Sequence, residues 1–94
     1  MTENFILGDC HTHLDQYDIA EMPGILERAK ESQVHFAVCA GTTVESTRAC
    51  IKLAKSYPAL YAGVGIHPME ASEPVTDTVY DELKFLANSS SKDV

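Results

Sequence analysis

Three apolar segments alternate with three amphipathic segments along the chain, and this alternation limits the folds open to it. The apolar segments have the length of buried strands and cover residues 5–9, 36–40 and 60–66. Helical periodicity covers residues 22–31, a stretch from about Thr43 to Pro58, and residues 76–87. Strand–helix units that repeat every ~30 residues have the size of βαβ units, whose crossovers make neighbouring strands parallel. The sequence therefore predicts an α/β fold with a parallel sheet.

Local signals set the expected ends of these elements. Pro23 suits the first turn of the first helix. Thr42 and Glu45 match a capping box, with Thr42 as the N-cap of the second helix and Glu45 at its third position. Residues 89–93 read as a turn, and Val94 as the first residue of a fourth strand.

The first apolar segment leads into a run of polar residues, Asp9-Cys10-His11-Thr12-His13-Leu14-Asp15. If the strand stays extended, Asp9, His11 and His13 share one face near its carboxyl end. Two imidazoles on one face can bind the same divalent ion, and a carboxylate there can bind it too or orient a histidine. From these residues alone, a pair of exposed or hydrogen-bonded histidines is an equal alternative.

A third histidine, His67, follows the third apolar segment in Gly63-Val64-Gly65-Ile66-His67-Pro68. Catalytic residues of α/β barrels lie at the carboxyl ends of the strands. His11, His13 and His67 all fall at that edge. His35 stands at the start of the second strand, so we expect it to be structural or exposed to solvent.

Composition and cysteine usage restrict the class of protein. The 94 residues allow one domain, and contents of 45% hydrophobic and 22% charged residues are typical of a globular chain. No apolar run is long enough for a membrane span, and the start of the chain lacks the basic region of a secretory signal. Three cysteines without a Cys-x-x-Cys motif indicate reduced thiols, so we expect a cytoplasmic location. Alternation puts Cys10 on the strand face opposite the histidines, where it would pack.

The charge pattern bears on the substrate. The formal net charge is −7, and no stripe of Lys and Arg is present. This argues against binding of duplex DNA through surface cations. It does not exclude a substrate that carries phosphate, because a bound divalent ion can supply the largest local positive charge.

The two histidine motifs together resemble those of the TatD family of metal-dependent hydrolases. The matching segments read DCHTHLD at residues 9–15 and GIHPMEA at residues 65–71, and the resemblance extends over residues 5–94. It implies a (β/α)8 TIM barrel, of which this chain would supply about the first three βα units. Residues 1–94 would then be the N-terminal part of a single barrel domain.

The resemblance also implies a chemistry and roles for individual residues. The complete protein would be a deoxyribonuclease that cleaves DNA phosphodiester bonds with metal-activated water. His11 and His13 would bind the first of two divalent ions, with Mg²⁺ expected for activity and Zn²⁺ or Mn²⁺ possible from the ligand chemistry. His67 would be catalytic and contact the substrate. Asp9 and Asp15 would support the metal site or the substrate pocket.

Two other classes of function stay open. Amidohydrolases and phosphoesterases of the polymerase-and-histidinol-phosphatase type also begin with His-x-His, although the segment Gly65-Ile66-His67-Pro68 argues against them. A non-catalytic fragment or interaction module is the third interpretation. The sequence after Val94 would discriminate, because the remaining ligands should lie there. The 94-residue chain alone is expected to be inactive.

Overall fold

The computed structural model describes residues 5–71, 74–89 and Val94. Strands and helices alternate in the order β1, α1, β2, α2, β3, α3. Single 3₁₀ turns follow β1, precede α1 and follow β3. The strands are β1 (Leu7–Thr12), β2 (Val34–Ala40) and β3 (Leu60–Gly63). The helices are α1 (Met22–Glu31), α2 (Val44–Ser56) and α3 (Asp77–Asn88).

The three strands form one sheet in the order β1-β2-β3, and both pairings are parallel. Gly8 pairs with Phe36 on the first boundary, and Ala37 pairs with Leu60 on the second. Parallel neighbours that are also consecutive in sequence need a crossover, which α1 and α2 provide. The α/β class and the parallel sheet are therefore confirmed for the residues that the structure describes.

All three strands differ in extent from the sequence prediction, and β2 begins at Val34 instead of residue 36. β1 continues to Thr12 because that residue is paired with β2, and its hydroxyl donates to the carbonyl oxygen of Val38 at 2.9 Å. β3 ends at Gly63 instead of residue 66. Beyond that point, at Gly65, the backbone hydrogen-bonds to a side chain: the Thr47 hydroxyl accepts from Gly65 N–H at 3.4 Å and lies 3.3 Å from Gly65 O.

The helix ends follow from local capping. α1 has the predicted bounds, with Pro23 in its first turn. The predicted cap of α2 is wrong by one residue: Thr43 is the N-cap and Ser46 stands at the third position. Ser46 N–H donates to Thr43 Oγ1 at 3.0 Å, and Thr43 N–H donates to Ser46 Oγ at 3.2 Å. Thr76 caps α3 by accepting from Val79 N–H.

The core lies between the sheet and the helices. On β2, Ala37 and Cys39 are buried, and on β3, Leu60 and Ala62 are buried. Other buried side chains come from the helices and the first 3₁₀ turn, namely Leu14, Met22, Thr47, Cys50, Ile51, Leu53, Ala54 and Leu86. Alternation along the strands leaves the opposite face of the sheet open.

That open face carries large apolar side chains. Phe36 and Tyr61 meet there with ring centroids 6.3 Å apart, and both are partly exposed. Parallel sheets are normally covered on both faces, so further apolar structure is expected against this one.

The structure describes only part of the residues on which the predictions for the two ends of the chain rest. The start of the chain at residues 1–4 and most of the predicted turn at residues 89–93 lie outside the described residues. Val94 is partly buried and packs against the core, but it belongs to no described strand, so a fourth strand there stays a prediction. Among the described residues, no helix is both long enough and apolar enough to cross a membrane.

Candidate metal centre

The two histidines of the first motif lie next to each other at the carboxyl end of β1. Their ring centroids are 5.0 Å apart, and the rings meet edge to face at an interplanar angle of 87°. His11 is exposed, whereas His13 is half-buried. The predicted juxtaposition of two imidazoles therefore exists, with one ring open to solvent and the other set into the protein.

The backbone at this point is less regular than simple alternation assumes. Asp9 pairs with Ala37 and Thr12 pairs with Cys39, so three steps on β1 face two steps on β2. One residue is thus added to β1 between these pairs, which breaks the two-residue period. His13 already lies beyond the strand, at the start of the 3₁₀ turn Leu14–Gln16. The histidines come together through this bulge and turn.

Asp9 stabilises the irregular backbone at the motif. Its Oδ1 atom accepts a hydrogen bond from the N–H of His11 at 3.1 Å. Short carboxylate side chains commonly bond the backbone two residues further on in turns. This position suits the predicted role of Asp9 as a residue that supports the histidines.

His13 carries the observation that tests whether this chain can hold a metal. Its Nδ1 atom is buried and has no hydrogen-bond partner among the described residues. A buried nitrogen without a partner is costly, because it has lost water and gained nothing in return. A ligand that binds at this nitrogen removes that cost, and neutral imidazole is a common ligand of divalent metals. The donor chemistry therefore fits a divalent ion.

His67 lies after β3 and is fixed by two hydrogen bonds. Its backbone N–H donates to Thr42 O at 2.8 Å, which ties it to the loop after β2. Its Nδ1 accepts from the backbone N–H of Met69 at 3.0 Å. In a neutral imidazole whose Nδ1 is an acceptor, Nε2 carries the proton. Nε2 can then donate a hydrogen bond but cannot coordinate an ion.

His35 lies in β2 near its amino end and is exposed. The predicted separation of His35 from the other histidines thus agrees with the described strand order. A cavity of about 450 Å³ adjoins this end of the sheet, between α1 and β2. Its lining is mostly apolar and includes Leu26, Phe36 and Tyr57, and His35 is the only histidine among its lining residues.

Asp15 lies against a pair of buried cysteines that the sequence analysis did not connect. Its Oδ1 atom is 3.4 Å from the sulfur of Cys39, and the sulfurs of Cys39 and Cys50 are 2.9 Å apart. Both cysteines are free and fully buried, whereas Cys10 is exposed instead of packed. Cysteine spacing gave no signal for this cluster, because one thiol lies on a strand and the other on a helix.

The two buried thiols have unequal acidities. The hydrogen bond from Cys50 lowers the pKa of Cys39, since it stabilises the thiolate form. The hydrogen bond to Cys39, together with burial, raises the pKa of Cys50. The pair thus favours one negative charge over two in the absence of a cation.

Comparisons with known proteins agree with the two histidine motifs. A family model described as TatD related DNase matches residues 8–93. The chain is also 32% identical over 68 residues to "Uncharacterized metal-dependent hydrolase YabD" of Bacillus subtilis (strain 168). That alignment covers 70% of this chain and 26% of the relative, so it spans about a quarter of the relative's length. The family resemblance seen in the sequence is confirmed, and the chain belongs to the TatD family.

Proposed function

We propose that this chain forms part of a metal-dependent hydrolase that cleaves phosphodiester bonds in DNA, in which His11 and His13 hold a divalent ion. The paired imidazoles with the unpartnered Nδ1 of His13 carry this proposal. The description of the matching family, TatD related DNase, supports DNA as the substrate. The name of the B. subtilis relative supports the use of a metal.

A second ion and the remaining ligands belong to the same proposal. Two histidines leave most positions around a divalent ion free, because such ions take four to six ligands. Among the described residues, no third His, Cys, Asp or Glu groups with His11 and His13 closely enough to complete a site. We propose that strands of a (β/α)8 barrel beyond this chain supply these ligands and that two ions bind. Mg²⁺ is the expected ion for activity, with Zn²⁺ or Mn²⁺ as alternatives.

The residues of this chain have separable tasks. The chemistry that a divalent ion supplies when bound is Lewis acidity, which acidifies water and polarises a phosphoryl oxygen. His11 and His13 hold the ion at the strand edge. The Nε2–H of His67 donates a hydrogen bond to the substrate. This bond orients the substrate and stabilises the negative charge that develops on it. Asp9 holds the backbone of His11 in place.

The net charge limits how DNA is bound. With a formal charge of −7 and no basic stripe, the chain offers little attraction to phosphates by itself. What this chain contributes to DNA binding therefore depends on the ions it holds and on hydrogen-bond donors such as His67. We expect the affinity for DNA to fall strongly when the ions are removed.

Cleavage of a fluorescent single-stranded or duplex oligonucleotide by the full-length protein tests this function. Activity should vanish after chelation and return with Mg²⁺ or Mn²⁺. It should also be lost in His11→Ala and kept in His35→Ala, the matched change of a histidine at the opposite end of the strands. Full activity in His11→Ala would contradict the proposal. Cleavage of amide substrates in place of DNA would favour the amidohydrolase alternative.

A further inference from the structure

A second cluster of metal-binding side chains lies on the helix side of the sheet. Asp15 follows β1, Cys39 lies near the end of β2, and Cys50 lies in α2. One donor atom from each of these residues lies within 4.8 Å of the other two. Among the described residues, this is the group in which three such donors converge.

The contacts within this cluster form a chain of hydrogen bonds. The thiol of Cys39 donates to Asp15 Oδ1 at 3.4 Å, so the proton between the two sulfurs, 2.9 Å apart, comes from Cys50. Two thiol protons thus link the three atoms. A single divalent cation can replace both protons and bind the same three atoms.

Burial makes a cation the group that best completes the cluster. Cys39 and Cys50 have no exposed surface. Two thiolates side by side in such a place repel each other and have lost their hydration. A divalent cation between them compensates both charges, and thiolate is the form of cysteine that binds metals.

Asp15 connects the cluster to solvent. It is half-buried and lines two small cavities of about 120 and 280 Å³, which share Ala49 in their walls. Asp15 is the residue of the cluster that lines these cavities, so an ion that enters from them meets its carboxylate first. Zinc prefers four ligands, so the occupied site would take one further ligand, such as water.

We propose that Asp15, Cys39 and Cys50 form a binding site for a soft divalent cation of the zinc type, separate from the histidine pair. Two thiolates select zinc over magnesium, which prefers oxygen ligands. Two sulfurs on one tetrahedral ion, with bonds of about 2.3 Å, stand about 3.8 Å apart. The thiols must therefore separate from 2.9 Å, and release of the proton between them removes the hydrogen bond that draws them together.

The site would serve the fold at the histidine motif. It joins the 3₁₀ turn Leu14–Gln16, which begins directly after His13, to β2 and α2. An ion in this position fixes the turn without contacting the substrate. Asp15, Cys39 and Cys50 are positioning residues in this proposal.

Cobalt(II) added to the reduced full-length protein tests the site independently of catalysis. Thiolate ligands give an intense sulfur-to-cobalt charge-transfer band in the near ultraviolet, which histidine and carboxylate ligands do not give. Cobalt added beyond the two equivalents that the proposed histidine site would take should produce this band. The band should persist in the His11→Ala/His13→Ala double variant, so a failure of the proposed function would leave this result unchanged.

Variants of the cysteines identify the ligands. Cys39→Ser and Cys50→Ser should abolish the charge-transfer band, and Asp15→Asn should weaken binding by about tenfold or more. Cys10→Ser is the matched control and should keep the band, because that thiol is exposed outside the cluster. A band that survives in Cys39→Ser and Cys50→Ser, or that disappears in Cys10→Ser, would overturn the assignment.

A measurement without cysteine variants covers the case in which these fail to fold. X-ray absorption of the zinc-loaded His11→Ala/His13→Ala variant should show two sulfur neighbours at about 2.3 Å. The absence of sulfur neighbours would overturn the proposal. The proposal would also be overturned if the reduced protein bound neither cobalt nor zinc and its Cys39 and Cys50 thiols oxidised to a disulfide instead.

Discussion

The imidazole of His67 accepts a hydrogen bond through Nδ1 from the backbone N–H of Met69, at 3.0 Å. In the neutral imidazole, this contact selects the tautomer in which Nε2 carries the proton. The ring is thereby prepared to donate to a substrate oxygen, whereas metal coordination would require that proton to leave.

His67→Ala should consequently reduce turnover without removing metal. Loss of one donor that stabilises developing charge typically lowers kcat by about 100-fold. Metal content, measured by atomic emission on the purified full-length protein, should stay at the wild-type level. A loss of metal as large as that in His11→Ala would instead identify His67 as a ligand.

His11→Ala and His13→Ala should each remove most of the activity together with the first ion. The rings lie 5.0 Å apart, so they can bind the same ion, and neither alone replaces the other. Metal stoichiometry should fall equally in the single and the double variants. His35→Ala, which changes an exposed histidine at the amino end of β2, should keep both metal and activity. Unchanged stoichiometry in the double variant would exclude this pair as ligands.

The features predicted from the sequence are those fixed by local chemistry. α1 has the predicted bounds because its apolar stripe is regular and Pro23 marks its first turn. The N-cap of α2 was predicted at Thr42 instead of Thr43 because threonine suits the N-cap equally well at either residue. Only the position of Ser46 relative to the backbone distinguishes the two. The contact between Cys39 and Cys50 depends on the position at which α2 packs along β2, and no local sequence pattern determines that position.

The same distinction applies to the histidine motif. Alternation predicted that His11 and His13 share a face, but the observed pairing of β1 with β2 contains an extra residue before Thr12. The rings nevertheless meet, because the 3₁₀ turn after His13 compensates for the bulge. The sequence thus indicates which residues gather, whereas the tertiary pairing of the strands determines how they do so.

Thr43→Ala should destabilise the protein more than Thr42→Ala. Thr43 Oγ1 accepts from the N–H of Ser46 in the first turn of α2, and loss of such an N-cap costs about 1 kcal/mol. Thr42 also contacts Ser46: its N–H donates at 2.6 Å, a bond that the change to alanine keeps, and its hydroxyl lies 3.2 Å from Ser46 Oγ, a contact that the change removes without uncapping a helix N–H. Denaturant unfolding of both variants measures the difference. Equal free energies of unfolding would restore Thr42 as an equally important cap.

Gly41→Ala should be more destabilising than Gly65→Ala. A Cβ atom at Gly41 would lie 2.8 Å from the carbonyl oxygen of Gly63 and 2.2 Å from Thr47 Oγ1. The N–H of Gly41 donates to that same carbonyl oxygen, so the two backbones cannot easily move apart there. At Gly65 a Cβ atom meets no described atom within 4 Å. Overpacking of this kind costs about 1–3 kcal/mol. Similar thermal midpoints for the two variants would contradict the tight approach at Gly41.

Residues 1–94 expressed alone should self-associate and cleave no DNA. The helices cover one face of the described sheet, while Phe36 and Tyr61 stay partly exposed on the other and Leu7 is 51% exposed. Apolar surface of this kind and unpaired strand edges both favour association. Light scattering should therefore report species larger than a monomer, and metal binding through His11 and His13 should be weak.

The matched variant Phe36→Ser/Tyr61→Ser tests the cause of that association. Polar side chains on the open face should raise the monomer fraction if apolar contact drives assembly, whereas edge pairing would leave it unchanged. Size alone does not prevent a chain of this length from folding. A stable monomer of residues 1–94 that cleaves DNA, and that loses this activity in His11→Ala, would show that the chain needs no further barrel strands.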